Sequence, residues 1–228
     1  MYILHQTDSH ITSYTFEEDL PMGILLLWYA QSDSRYESAM ADTTVTISGG
    51  SQTELINKTS YYVHTYTGYY DMKSWSRCKV ILLTNIPKGA TLTTECAKDC
   101  SSYGATATIF KPYKNNFTAM EILNDSDSNR TSYTFDKKVP YALVVEWNGQ
   151  PLDDYTNDTY VISSGNQETL LDKTSYFAVS VGTQQKYWSR CKVVLLTNVS
   201  EGTTLTTKCL YDYSSTGATT TIIVPADS

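Results

Sequence analysis

No stretch of the chain comes near the roughly 20 consecutive apolar residues that a membrane-spanning helix needs. The longest apolar run, GILLLWYA at residues 23–30, has the length of a buried strand. Charge is sparse as well. Charged residues make up 18% of the chain, and Lys+Arg 17 stand against Asp+Glu 24, a formal net charge of -7 with no basic stripe. Nucleic acid and membrane are therefore excluded as expected partners. The three histidines, His5, His10 and His64, are scattered. There is no Gly-rich phosphate loop, no His-bearing metal motif and no Gly-x-Ser-x-Gly elbow, so the sequence predicts no catalytic residue, no cofactor, no metal site and no enzyme. No segment sustains an apolar repeat of helical period, which points to strands throughout.

The chain does contain itself twice. WSRCKV occurs at residues 75–80 and again at 188–193; TSYTF begins at Thr12 and Thr131, KTSY at Lys58 and Lys173, LLTN at Leu82 and Leu195, TLTT at Thr91 and Thr204. The matches keep their order, which predicts two tandem units of about 100 residues from an internal duplication. The offset is 119 at the Trp28 and Trp147 pair, 115 at Lys58 and Lys173, and 113 from Trp75 onward. The extra residues of the first copy fall at residues 31–44 and 63–75. Insertions are tolerated in surface loops, so QSDSRYESAMAD and HTYTGYYDMK are expected to be loops.

Short runs rich in Val, Ile, Thr and aromatics, separated by turn residues, recur through both copies, and 19 Tyr add to the sheet-forming palette. The expected fold is all-β: two homologous antiparallel β-sandwiches of seven or eight strands each, immunoglobulin-like, with a small jelly roll as the alternative. The expected domains are residues 1–112 and 120–228, joined by a linker at 113–119. AMEIL, at residues 119–123, reads either as a helical turn or as the first strand of the second copy, matching YIL of the first.

Cys78 and Cys96 are 18 apart, as are Cys191 and Cys209, each pair bracketing a turn. A symmetric hairpin would set each pair opposite, making Cys78, Cys96, Cys191 and Cys209 candidates for two cross-strand cystines, or else small buried thiols. Cys100 has no counterpart. Trp28, Trp75, Trp147 and Trp188 are expected to be structural, filling the core or its rim, with Arg77 and Arg190 on the outer face or in a local ion pair. Six Asn-x-Ser/Thr triplets, including Asn57, arise by chance in so Ser- and Thr-rich a chain. DSDSN at residues 125–129 offers alternate oxygen side chains of the kind Ca²⁺ takes between β-domains. A solvated linker is the favoured reading.

Residues 1–16 show no basic segment followed by an apolar one, so no secretory signal is expected, and a chain of tandem Thr- and Tyr-rich β-sandwiches of this kind resembles the immunoglobulin-like modules of bacteriophage virion proteins. That resemblance implies a non-enzymatic decoration, tail-appendage or fibre protein, made in the host cytosol. It would dock on other particle proteins in a multi-copy or homo-oligomeric assembly. The alternative is a carbohydrate-binding module or adhesin, extracellular or at the cell surface, using surface glycans as ligand. Its support is the Tyr-rich segment of the first copy, where Tyr61, Tyr62, Tyr66, Tyr69 and Tyr70 are candidate contacts for a ligand or partner.

Overall fold

The structure is a computed structural model and describes residues 1–8, 12–32, 44–66, 70–95, 105–113, 119–127, 130–150, 159–179, 186–208 and 218–226. Among these residues every regular element is a strand. In the first half they are β1 (Tyr2–Thr7), β2 (Thr12–Thr15), β3 (Leu20–Ser32), β4 (Thr44–Ile47), β5 (Ser51–Tyr66), β6 (Tyr70–Ile86), β7 (Thr91–Glu95) and β8 (Ala105–Lys111). The second half follows with β9 (Met120–Ser126), β10 (Arg130–Thr134), β11 (Val139–Gln150), β12 (Thr159–Ile162), β13 (Asn166–Val179), β14 (Lys186–Val199), β15 (Thr204–Lys208) and β16 (Ala218–Pro225). AMEIL is thus a strand, and β9 pairs with β16 as β1 pairs with β8.

Each half builds one five-stranded and one three-stranded antiparallel sheet, ordered β1-β8-β3-β6-β5 with β2-β7-β4, and β9-β16-β11-β14-β13 with β10-β15-β12. Strand one pairs with eight, two with seven and three with six. Such nesting is what a long hairpin gives when rolled up on itself, and it matches three of the four strand pairs of a jelly roll; β4 and β5, which would be the fourth, are in different sheets. An immunoglobulin-like sandwich would keep its first two strands in one sheet and its last two in the other. Here both of those neighbouring pairs are split between sheets, so the alternative expectation describes the topology.

The same order removes the expected Cys78–Cys96 hairpin. β6 pairs with β3 and β5, whereas β7 pairs with β2 and β4, so the turn between β6 and β7 connects two sheets instead of closing a ladder. Leu92 accordingly lies opposite Tyr14, and Thr94 opposite Thr12. The turn residues obey local sterics. Asn85 and Asn198, the last letters of the two LLTN strings, take left-handed backbone with φ of 52° and 57°, a conformation Asn tolerates better than most residues. Gly50, at φ 82°, leaves no room for a side chain: a Cβ there would lie 2.5 Å from Ile86 Cδ1 and 2.7 Å from the Asn85 carbonyl oxygen.

GILLLWYA is apolar at every position because β3 is covered on both faces. Leu25 and Leu27 point into the first half's own sandwich, against Phe16, Leu92 and Ile109. Ile24, Leu26 and Trp28 point the other way, into a core that takes residues from both halves, including Leu143, Val145, Trp147 and Val193. The second half has its own sandwich core around Phe135, Val144, Leu196 and Leu205. The five-stranded sheets therefore stack face to face, with β13 against β3 and β11 against β5, and the three-stranded sheets form the outer layers. Met120, next to the segment joining the halves, is buried in the shared core.

One consequence concerns unfolding. Because the central core belongs to neither half alone, thermal unfolding is expected to be a single transition whose calorimetric and van't Hoff enthalpies agree. Leu26→Ala, a cavity in the shared core, is expected to lower that whole transition and to cost about 2–5 kcal/mol. Two separable transitions in scanning calorimetry, only one of them moved by the substitution, would contradict this.

Candidate functional site

At the centre of the shared core the repeated strings meet each other. Ser76 of the first WSRCKV and Ser189 of the second lie with their hydroxyl oxygens 2.6 Å apart. The Trp28 indole N–H donates to Ser189 Oγ at 3.1 Å, and the Trp147 indole N–H donates to Ser76 Oγ at 2.8 Å. Both rings are almost wholly buried, and an indole N–H in such a place needs an acceptor. Each half supplies the other's acceptor. One residue pair further on, Cys78 and Cys191 touch. Hydrogen bonding to Cys78, together with complete burial, pushes the Cys191 thiol well above the usual cysteine range. Both thiols are free.

The rim of this seam is ionic. Lys58 donates to Asp125 and Asp127 and, at 3.0 Å, to Thr219 Oγ1; Lys173 donates to Asp8 of the first half. Asp125 also accepts from Thr221 Oγ1 at 2.8 Å. Burial opposes ionisation of Asp125, but the ties to Lys58, Thr221 and Thr219 outweigh it and hold its carboxyl below the usual range. Two of the side chains of DSDSN that suggested Ca²⁺, Asp125 and Asp127, are thus held by an ammonium of the other half, and Ser128 and Asn129 lie outside the described residues. Among the described residues no group of three or more His, Cys, Asp or Glu is placed to hold a metal.

Arg77 and Arg190 take two different local partners. Arg77 is buried and donates through Nε to Asn57 Oδ1 at 3.0 Å; Arg190 is paired with Asp172 through Nε and Nη2, at 2.9 and 2.8 Å. Asn57, the first sequon, is exposed, and its side chain accepts from Arg77 while its amide donates to Glu54 at 2.9 Å.

The contacts fix the direction of the two halves. Ser76 meets Ser189 and Cys78 meets Cys191, so equivalent rungs of β6 and β14 lie at equal heights over at least two side-chain levels. An approximate two-fold axis perpendicular to the strands would separate the second pair by about four rungs, ~13 Å. The axis therefore runs along the strands, and both halves point the same way. The strand ends that flank residues 9–11, 33–43, 67–69 and 96–104 of the first half lie at one end of its sandwich. They share that end of the molecule with the strand ends that flank residues 128–129, 151–158, 180–185 and 209–217.

The Tyr-rich segment is at this end, and it is not a loop. β5 and β6 remain paired through Val63↔Lys73 to Tyr66↔Tyr70, beyond Ser32↔Ser74, the last pair of β3 with β6 among the described residues. These four rungs, the β5–β6 arm, reach about 13 Å farther along the strands than that pair. Tyr61, Tyr62 and Tyr66 are on β5 and Tyr70 on β6, with Tyr61 in register with Trp75 and Tyr62 with Ser74. Tyr69 lies outside the described residues. In the second half, among the described residues, Ala178↔Tyr187 and Val179↔Lys186 extend past Gln150↔Trp188.

Of the other expected site residues, Trp28 and Trp147 are in the shared core. Trp75 and Trp188 are on β6 and β14, their side chains outside the described part of the structure. Cys96, Cys100 and Cys209 lie outside the described residues. Sequence reasoning missed Ser76 and Ser189, although both stand inside the repeated hexapeptide, and Lys58 and Lys173, which open the repeated KTSY. The signal was there, since a polar residue kept within a repeated apolar string has a partner to meet. Glu146 had no such signal. It is buried on β11 between Lys192 and Thr220 in register, where the first half has Leu27.

No family model matches the chain, and no curated protein or solved structure is significantly similar to it.

Two outcomes are expected at the seam. Ser189→Ala leaves the buried Trp28 N–H without this acceptor and is expected to cost about 1–3 kcal/mol in urea unfolding. A double-mutant cycle with Ser76→Ala should show a coupling of about 0.5–3 kcal/mol, because the two hydroxyls bond each other. Additive, near-neutral effects would contradict the seam. Asp125 has a depressed folded-state pKa, so its contribution is present above the ordinary aspartate pKa of about 3.9 and is lost as pH falls through its folded value. Asp125→Gln, which installs the residue found at the counterpart Gln6, is expected to flatten the acid limb of the stability profile. An unchanged limb would contradict that pairing.

Proposed function

We propose that the protein is a non-enzymatic structural or accessory component of an assembled particle, in the manner of bacteriophage decoration, tail-appendage or fibre proteins. The chain, on this reading, is a duplicated eight-stranded unit whose copies fused through a two-fold seam. The observation that carries the reading is the shared direction of the two halves. A rigid four-layer body presents two sets of strand ends and the β5–β6 arm at one end, and leaves the tight turns around Gly50, Gly89, Gly165 and Gly202 at the other. Such a body suits docking by one end and display by the other, in many copies on a particle made in the host cytosol. The nested two-sheet topology supports it too, being one that viral capsid and lectin domains use.

A second reading draws on the arm. Tyr61, Tyr62, Tyr66 and Tyr70 stand on the longest ribbon of the molecule, and tyrosine rings suit protein partners and sugars alike, so display on a particle and adhesion to surface glycans are compatible.

Quantitative mass spectrometry of density-purified particles from the source culture tests the main reading. A fixed ratio of this chain to the most abundant particle protein is expected. Its absence from particles, with the chain free in the medium or on cells, would overturn it.

A further inference from the structure

At the tight-turn end of the first half lies a cavity with a charged rim, and beside it, outside its lining, a pair of tyrosines, Tyr2 and Tyr113, that the second half does not have. A cavity of about 250 Å³ opens between β1, β2 and the end of β8. Leu4 and Phe16 give it an apolar floor, Tyr14 one wall, and Glu17, Glu18 and Lys111 its rim. The Lys111 stem is buried and its ammonium is paired with Glu18, whose side chain is 63% exposed. Tyr2 is the register partner of Lys111, and its ring centroid is 5.4 Å from that of Tyr113. Tyr113 is 67% exposed, more than any other large apolar or aromatic side chain among the described residues.

Tyr14 is held rigidly, stacked on His5 at 4.4 Å and edge-on to Phe16 at 5.0 Å. Burial, followed by the nearby Glu17 and Glu18 carboxylates, raises its phenol further, so its hydroxyl stays protonated. The wall of the cavity is both a flat ring and a hydrogen-bonding group.

The second half shows which of these groups the fold itself requires. The apolar frame is retained there as Leu123, Tyr133 and Phe135, with Tyr133 edge-on to Phe135 at 5.2 Å. The polar and exposed members are replaced: Glu121 stands for Tyr2, Asn124 for His5, Lys137 for Glu18, Val224 for Lys111 and Ala226 for Tyr113. Val224 is fully buried in the sandwich core, so an apolar residue serves the packing at that position. Lys111, Glu18, Tyr2 and Tyr113 are additions to a frame that closes without them.

We infer that this cavity of the first half is a binding site for a single sugar ring, with Tyr113 and Tyr2 as the stacking platform and the Lys111–Glu18 pair as the polar anchor. An ammonium donor beside a carboxylate acceptor matches two neighbouring hydroxyls, one accepting from Lys111 and one donating to Glu18, both as charge-assisted hydrogen bonds. The C–H face of the ring covers an exposed tyrosine, and an apolar floor with a few convergent polar groups is the usual make-up of a small-ligand site. The site is at the end away from the β5–β6 arm, and its existence does not depend on the particle reading.

Saturation-transfer NMR on the full chain tests it, with the methyl glycosides of glucose, galactose, mannose and N-acetylglucosamine as probes and tetramethylammonium as the cationic control. Saturation of the ring protons of at least one glycoside is expected, with Kd about tenfold weaker in Tyr113→Ala, in line with loss of an aromatic anchor. The signal should vanish in Lys111→Val, which installs the counterpart residue, and persist in the arm variant Tyr66→Ser. Should Lys111→Val fail to fold, Lys111→Met and Glu18→Gln carry the same decision. Saturation of no glycoside, a signal unchanged in these cavity variants, or saturation of tetramethylammonium alone would overturn the inference.

Discussion

Each five-stranded sheet carries apolar side chains on both faces, and the rest of the structure depends on covering the second face. One face closes on the three-stranded sheet of its own half. The other, with Ile24, Leu26, Trp28, Val80 and Phe110, closes only on the equivalent face of the other half. Hydrophobic burial drives that stacking without specifying its register. The register comes from polar groups buried in that core. Two indole N–H groups and two serine hydroxyls satisfy one another only when equivalent rungs of β6 and β14 lie level.

That single geometric condition reaches outward. With the rungs level, Lys58 falls opposite Asp125 and Asp127, and Lys173 opposite Asp8, so the rim closes with ion pairs at both sides of the seam. It also puts all the strand ends that flank the variable segments at the same end. Two separate sandwiches on a linker would leave their mutual direction open; here it follows from the core. The proposed display role rests on this rigidity, whereas the cavity around Tyr14 rests on the differences between two otherwise equivalent halves.

Much of this was legible in the sequence. The repeated strings fall on β2, β5, β6 and β7 and on β10, β13, β14 and β15, and the all-β composition followed from Thr, Val, Ile and Tyr in short runs. The distinction between a jelly roll and an immunoglobulin-like sandwich was not legible, because it depends on which strands pair and both folds use the same alternation. The expected Cys78–Cys96 register failed for the same reason: NIPKGA looks like a hairpin turn locally but bridges two sheets. The segment around Tyr66 was expected to be a loop since its length differs between the copies. A ribbon can also lengthen by whole rungs without disturbing its sheet, and β5 and β6 are paired as far as Tyr66↔Tyr70. The shared core was foreshadowed by GILLLWYA, whose lack of alternation calls for burial on both faces. The Lys111 cavity was invisible, because its members are drawn from β1, β2, β8 and a turn; Tyr14 and Phe16 belong to the repeated TSYTF, but Leu4, Glu17, Glu18 and Lys111 stand outside every repeated string.

The most direct test of the account is the direction of the halves. Lys88 and Glu201 occupy equivalent turns between β6 and β7 and between β14 and β15, both exposed. With noncanonical amino-acid spin labels at these two positions, pulsed electron resonance should give a single narrow distribution near ~20 Å, set by sheets stacked about 10 Å apart. A distribution centred near ~65 Å, twice the ten-residue run from the seam to the turn at about 3.3 Å per residue, would mean that the halves point in opposite directions. A broad distribution would mean that they are not fixed to each other at all. Either result would contradict the shared core.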